Sequence, residues 1–180
     1  MPSVIIVGDG PAGLSAAIFL AKNGYDTLVL GNNDSATRYA KLYNYLGIPA
    51  ISGTDYLDIG RTQVESFGGR ILVTNVSAVT KTNSGFSVSL EDGAVHECDF
   101  LVLAAGAAKP FARELGLGDN EDGGVDADRE GRTAIPGLYY VGWATRPKRT
   151  QAIISAGEGA AAALSILSQE KGNDFHDFDS

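Results

Sequence analysis

The chain has 180 residues, a formal net charge of −8, 44% hydrophobic residues and 23 glycines, which fits one domain with a full core better than several. The negative balance repels nucleic acid and anionic membrane surfaces, and no stretch approaches the roughly 18 apolar residues of a bilayer span. The single cysteine, Cys98, rules out an internal disulfide, a CxxC redox pair and a cysteine-based zinc site.

The N-terminus enters a strand directly, with no basic leader before it, so a cytoplasmic location is expected. Val4 to Val7 is an apolar, β-branched run of the kind that forms a parallel strand buried on both faces. Gly8-Asp9-Gly10-Pro11-Ala12-Gly13 follows it and fits G-x-G-x-x-G. Leu14, Ala17, Ile18 and Ala21 then recur at helical spacing, Gly24 stands where a helix would stop, and Thr27 to Leu30 returns to strand character. Strand, glycine turn, helix and strand make a βαβ unit.

Each glycine of the motif has a separate reason. Gly8 permits the tight turn, Gly10 lets a pyrophosphate reach the backbone, and Gly13 allows close helix-to-strand packing. Pro11 presets the first helical turn. Free amides and the positive dipole end at the helix start then favour the phosphates of a dinucleotide. Two residues depart from the pattern. Asp9 is tolerable only if its carboxylate turns away from those phosphates, and Gly31 stands where an acid ordinarily binds the ribose, leaving Asn32 or Asp34 as substitutes. The unit by itself fits FAD and NAD alike.

Residues 32 to 60 read as irregular, with a helix expected from Thr54 to Phe67 and Gly68-Gly69 closing it. "RILVTNVSAVTK", "GFSVSL" and "DFLVLAAG" are strand candidates, expected to form a small antiparallel meander beside the parallel sheet. Glu114 to Arg132 is rich in Gly, Asp and Glu and reads as a loop. "GLYYVGWA" is a further buried strand, and Gln151 to Gln169 a closely packed helix. The fold class is α/β: a Rossmann-like domain over residues 1–172, with a mobile acidic tail at 173–180.

The segment Thr133 to Ile166, with "LVLAAGAAKP" and the N-terminal unit, resembles the thioredoxin reductase-like family of FAD-dependent pyridine nucleotide-disulfide oxidoreductases. Thr133, Pro136, Gly137, Gly142, Gln151, Ala152, Ala156, Gly157 and Gly159 hold positions of its C-terminal FAD segment. "YNYLGIPAISG", which contains Tyr45, is similar to the family's segment near the flavin ring, and Ala105-Gly106 to its A-T-G turn. The resemblance implies FAD held by Gly8, Gly10, Pro11, Ala12, Gly13, Gly31, Asn32, Tyr45, Gly106, Gly142, Trp143, Gln151 and Ala152. Trp143 stands where the family has an aspartate that bonds the ribityl chain.

In complete reductases a second domain, carrying NADPH and the CxxC pair, lies between the A-T-G turn and the C-terminal segment. Here about 25 residues separate Gly106 from Thr133, too few for a βαβ unit of roughly 30 residues or more. The resemblance therefore implies an FAD domain alone. Its electrons would come from NAD(P)H in solution or from a redox partner protein, and would pass to an external protein or small-molecule acceptor. A homodimer is also expected, because a lone FAD domain exposes apolar surface beside the flavin.

Three readings remain open in the sequence: an FAD oxidoreductase, a non-catalytic flavin module that completes a partner, and a small NAD-binding protein. Arg146, Lys148 and Arg149 form a basic cluster that fits a phosphate, a nicotinamide donor, an acidic partner or a solvated loop. Cys98 reads as a small half-buried side chain. His96 and His176 lack carboxylate or nucleophile partners in the sequence, and neither a catalytic base nor a metal site is assigned.

Overall fold

The computed structural model describes residues 1–178. Strand β1 (Ser3–Val7) leads through the glycine loop into helix α1 (Pro11–Lys22), which returns to β2 (Asp26–Gly31). A 3-10 turn (Ala36–Tyr39) and two short paired strands, β3 (Lys41–Leu42) and β4 (Ile51–Ser52), precede α2 (Gly53–Ser66). Four strands follow before β9: β5 (Arg70–Val73), β6 (Val76–Lys81), β7 (Phe86–Leu90) and β8 (Val95–Cys98). After β9 (Phe100–Leu103) and a long connection come β10 (Leu138–Tyr140) and α3 (Ala152–Lys171).

The central sheet is parallel throughout, in the order β10-β9-β1-β2-β5. Both of its faces are covered, so β1 is apolar at every buried position and its residues split by alternation. Val4 and Ile6 face a core built with α1, α2 and α3, whereas Ile5 and Val7 face one built with β7 and residues of the long connection. The result is three layers: helices, parallel sheet, and the antiparallel sheet β6-β7-β8.

The expected meander is corrected in its membership. Residues 70–81 do not form one strand: β5 pairs parallel with β2, and the chain then turns so that β6 pairs antiparallel with β7. Phe100–Leu103 joins the parallel sheet, because four consecutive buried apolar residues need cover on both faces. The third meander strand is β8. Only Cys98 is buried along its "VHEC", which hides the strand signal, and Asp92 and Gly93 make the turn that leads into it.

Two further expectations change. Helix α3 is long and apolar enough to cross a membrane by length and composition alone, yet Ala162, Ala163, Ile166 and Leu167 pack into the helical core beside α1. The acidic tail is docked over its described part. Phe175 lies on the helical core with Lys171 Nζ 3.6 Å from its ring centre, its N–H donates to Ser168 Oγ at 3.0 Å, and Asp177 pairs with Lys22 at 3.2 Å. Residues 179 and 180 of that tail lie outside the described residues.

The connection from 104 to 137 contains no α-helix, and the side chain of Asn120 orders its middle. Asn120 Oδ1 accepts from the N–H groups of Asp122 and Gly124, and Nδ2 donates to the carbonyls of Val125 and Thr145. Val125 is thereby sealed against the antiparallel-sheet core.

Candidate functional site

A cleft of about 610 Å³ opens at the carboxyl ends of the parallel strands, within the size range of cofactor sites and where open α/β sheets place their ligands. Five strand ends contribute: Gly8 after β1, Gly31 and Asn32 at β2, Thr74 and Asn75 after β5, Ala104 to Gly106 after β9, and Gly142 after β10.

The glycine loop is shaped by steric necessity. Gly8 sits at φ +113°, and a Cβ there would fall 2.4 Å from the Ala104 carbonyl oxygen. Behind it, a Cβ on Gly13 would fall 1.9 Å from the Gly8 oxygen, so α1 meets the loop with no room for a side chain. Helix α1 begins at Pro11 with no side-chain cap, and α3 begins beside Gln151 equally uncapped, although α2 is capped by Ser52 Oγ accepting from Asp55 N–H. The two uncapped N-termini both line the cleft. Their free amides suit an anion.

A dinucleotide fits these residues. The loop offers backbone donors and a helix dipole to a pyrophosphate, and Gly10 forms a cradle: a Cβ there would approach Ser35 Oγ, another lining atom, to 2.9 Å. The rest of the lining mixes apolar groups with Asn32, Thr37, Asn75 and Gln151.

Of the residues singled out from sequence, Gly8, Gly10, Pro11, Ala12, Gly31 and Asn32 line the cleft on one side, and Gly106, Gly142, Trp143, Gln151 and Ala152 on the other. Gly13 stands behind the lining, in the packing position just described. Tyr45 is not part of the lining. Its ring lies 5.2 Å from that of Tyr56 on α2, and burial, then Tyr45, pushes the Tyr56 hydroxyl pKa up. Ser35, Thr37, Thr74, Asn75 and Phe111 also line the cleft and were not singled out. The first two lie in the stretch that reads as irregular, and Thr74 and Asn75 in the candidate strand that the fold breaks in two.

Asp9 is 3% exposed and turned toward the end of β2. Its Oδ2 accepts from Asn33 N–H at 3.1 Å and pairs with Arg61 of α2, which also donates to Asn33 Oδ1 at 2.8 Å. The negative charge in the loop is thus compensated, as a buried carboxylate requires. Arg38 joins the same group, bonding Asn33 and pairing with Asp58 at 3.3 Å.

At the opposite end, Glu158 of α3 accepts from Gly142 N–H at 2.7 Å and pairs with Arg146. Trp143 is 38% exposed beside it. Lys148 and Arg149 both pair with Asp122 in the long connection, and the Lys148 hydrogen bond and charge hold the Asp122 carboxyl below its ordinary pKa. The basic cluster is therefore engaged with carboxylates, and none of its three residues lines the cleft. Cys98 is buried, and desolvation pushes its thiol up to about 12, which keeps it protonated and unreactive at neutral pH.

Residues 70–159 match the pyridine nucleotide-disulphide oxidoreductase family, and residues 1–41 match an FAD binding domain. A thioredoxin reductase of Aquifex aeolicus is 37% identical over 134 residues, covering 69% of this chain and 42% of the relative. A glucosaminate ammonia-lyase of Pseudomonas fluorescens is 30% identical over 122 residues, 66% of this chain and 37% of the relative. The structure of a thioredoxin reductase from Gloeobacter violaceus superposes with a TM-score of 0.87 at 20% identity, covering 99% of each chain, and shares the fold. The chain belongs to the pyridine nucleotide-disulphide oxidoreductase family, in its thioredoxin reductase-like, FAD-binding group. It spans less than half the length of either curated relative.

Proposed function

We propose that the chain is the FAD-holding unit of an oxidoreductase that moves electrons between a nicotinamide donor, or a partner protein, and an acceptor outside the chain. The observation that carries this reading is the convergence of the glycine loop and two uncapped helix N-termini on one cleft at the carboxyl ends of the strands. Bound FAD supplies reversible hydride and electron transfer. The residues of the chain would orient it: Gly10, Pro11 and Ala12 would hold the pyrophosphate, Gly31 and Asn32 the adenosine side, and Gly106, Gly142, Trp143, Gln151 and Ala152 the flavin side. The amides at the start of α3 favour negative charge placed against them.

The long connection from 104 to 137 has no βαβ unit to hold NADPH, and Cys98 is buried without a second cysteine. The donor and the acceptor therefore come from outside. This also favours the second reading, a flavin module that works only with a partner protein. Exposed Tyr43, Leu46, Trp143, Ile153 and Ile154, tied together where Asn44 Nδ2 donates to Gln151 Oε1 at 3.0 Å, support pairing with a second copy.

The test is an absorption spectrum of the reconstituted protein followed by anaerobic titration with NADH and with NADPH. A flavin spectrum that bleaches with either donor and recovers with an added acceptor is expected of the oxidoreductase. A flavin that photoreduction bleaches but neither nucleotide does would favour the partner-dependent module, and a colourless protein that binds NADH would overturn both. NADPH-dependent reduction of thioredoxin by this chain alone is not expected. Sedimentation of the FAD-loaded protein as a monomer would remove the dimer.

A further inference from the structure

At the end of the second strand of a dinucleotide-binding βαβ unit, an acidic side chain ordinarily accepts hydrogen bonds from the adenosine ribose. Position 31 holds that place here and is glycine. A Cβ on Gly31 would lie 2.4 Å from Asp9 Cγ, 2.5 Å from Asp9 Cβ and 2.8 Å from Asp9 Oδ1. The carboxyl of Asp9 thus fills the space that a side chain at position 31 would enter. We infer that Asp9 recognises the ribose hydroxyls in this protein, the acid having moved from the end of β2 into the glycine loop.

Three features support the assignment. Asp9 lines the cleft together with Gly31 and Asn32, at the end of β2 where such a unit receives the ribose. Its two oxygens are unequal: Oδ2 receives Asn33 N–H and Arg61, whereas among the described residues no donor reaches Oδ1. An ionised carboxylate has about four acceptor positions, so Oδ1 keeps the capacity to take hydroxyl donors. Finally, the carboxyl is held in place by a closed set of contacts. Asn33 adopts φ +61°, its N–H reaches Asp9, and Arg61 bridges Asp9 and Asn33 Oδ1. A recogniser fixed in this way loses little freedom on binding.

Arg61 gives the arrangement a second consequence. A lone buried carboxylate beside a pyrophosphate would repel it, but paired with a guanidinium it is neutral as a unit and still presents Oδ1. Glycine at position 31 is then required, since any side chain there displaces Asp9.

The inference rests on FAD occupying the cleft, and the experiment separates the two. Apoprotein is titrated with FAD and with an FAD analogue whose adenosine lacks the 2′- and 3′-hydroxyls, following flavin fluorescence. The wild-type chain is expected to prefer FAD by about tenfold, the size of hydrogen bonds to a charged acceptor. Asp9→Asn, which leaves Arg61 uncompensated and so shifts the affinity for both flavins together, should lose most of the preference for FAD over the analogue. The double variant Asp9→Gly with Gly31→Glu, which returns the acid to β2, should recover the preference, and it keeps the test decisive if Asp9→Asn does not fold. Equal wild-type affinity for the two flavins, undiminished preference in Asp9→Asn, or no preference in the folded double variant would each overturn the assignment. Failure of the wild type to bind either flavin would instead remove FAD from the cleft.

Discussion

At the β2 end of the cleft the wall is Gly31, with the Asp9 carboxyl lying in the space beside it. At the β10 end the wall is Gly142 and the large, part-exposed ring of Trp143. Each place lacks an acid that the sequence motifs lead one to expect, but the two differ in opposite senses of volume. Where the residue shrank, a neighbouring loop brought a carboxylate into the vacated space. Where it grew, Glu158, which bonds the neighbouring Gly142 N–H, is also engaged by Thr145 and Arg146. The lesson is that a missing side chain is replaceable when the space it leaves adjoins another segment carrying the same chemistry.

The severest way to break the comparison is to remove the ligand from both ends at once. Gly10→Val fills the cradle between the glycine loop and Ser35, where a Cβ already comes within 2.9 Å of Ser35 Oγ. FAD retention should be lost, read as the absence of the flavin absorbance in the purified protein. Full occupancy in this variant would mean that neither end of the cleft meets the cofactor.

The β2 end alone is challenged by Gly31→Ala. The new methyl group would sit 2.4 Å from Asp9 Cγ, a separation that forces the carboxyl out of its contacts with Asn33 and Arg61. Overpacking of this kind costs about 1–3 kcal/mol. It should appear as a lower denaturation midpoint at unchanged slope. A variant as stable as the wild type would show that the Asp9–Arg61 unit relaxes freely, and the two ends would then be alike.

The difference between the ends also marks how far the sequence was legible. Four strands of the parallel sheet, β1, β2, β9 and β10, were visible as apolar runs, because burial on both faces leaves few polar positions to blur them, whereas β5, at the sheet edge with no buried residue, ran on into β6. The glycine loop was legible because Gly8 and Gly13 answer local steric demands that the motif encodes. Relations between distant segments were not legible. That Asp9 would fill the space beside Gly31 depends on how the glycine loop meets the end of β2, and that Arg61 would neutralise it depends on α2 packing against α1 and the turn that follows β2. Tyr45 illustrates the same limit in reverse: motif similarity points to the flavin, but packing on Tyr56 decides where the ring goes. The β8 strand escaped notice for a simpler reason, since only one of its four residues is buried.

The smallest effect belongs to the β10 end. Trp143 is the only tryptophan and lines the cleft with Gly142 and Gln151, so FAD bound there should quench its emission by energy transfer over a short separation. Trp143→Asp tests whether this end tolerates the exchange that Asp9 makes at the other. The new carboxylate would have to find a ribityl hydroxyl without help from Glu158, whose oxygens are occupied, and one hydrogen bond contributes about 1 kcal/mol net. Against that gain stands the loss of a ring that shields the cleft from water, a term of similar size and opposite sign. FAD affinity should therefore stay within about fivefold of the wild type, the ratio that 1 kcal/mol represents. Tighter binding beyond that range would show that the aspartate had been missed at this end and that Trp143 merely filled its place. Apoprotein whose tryptophan emission is unmoved by FAD would put the ring away from the cofactor, and with it the whole β10 end of the comparison.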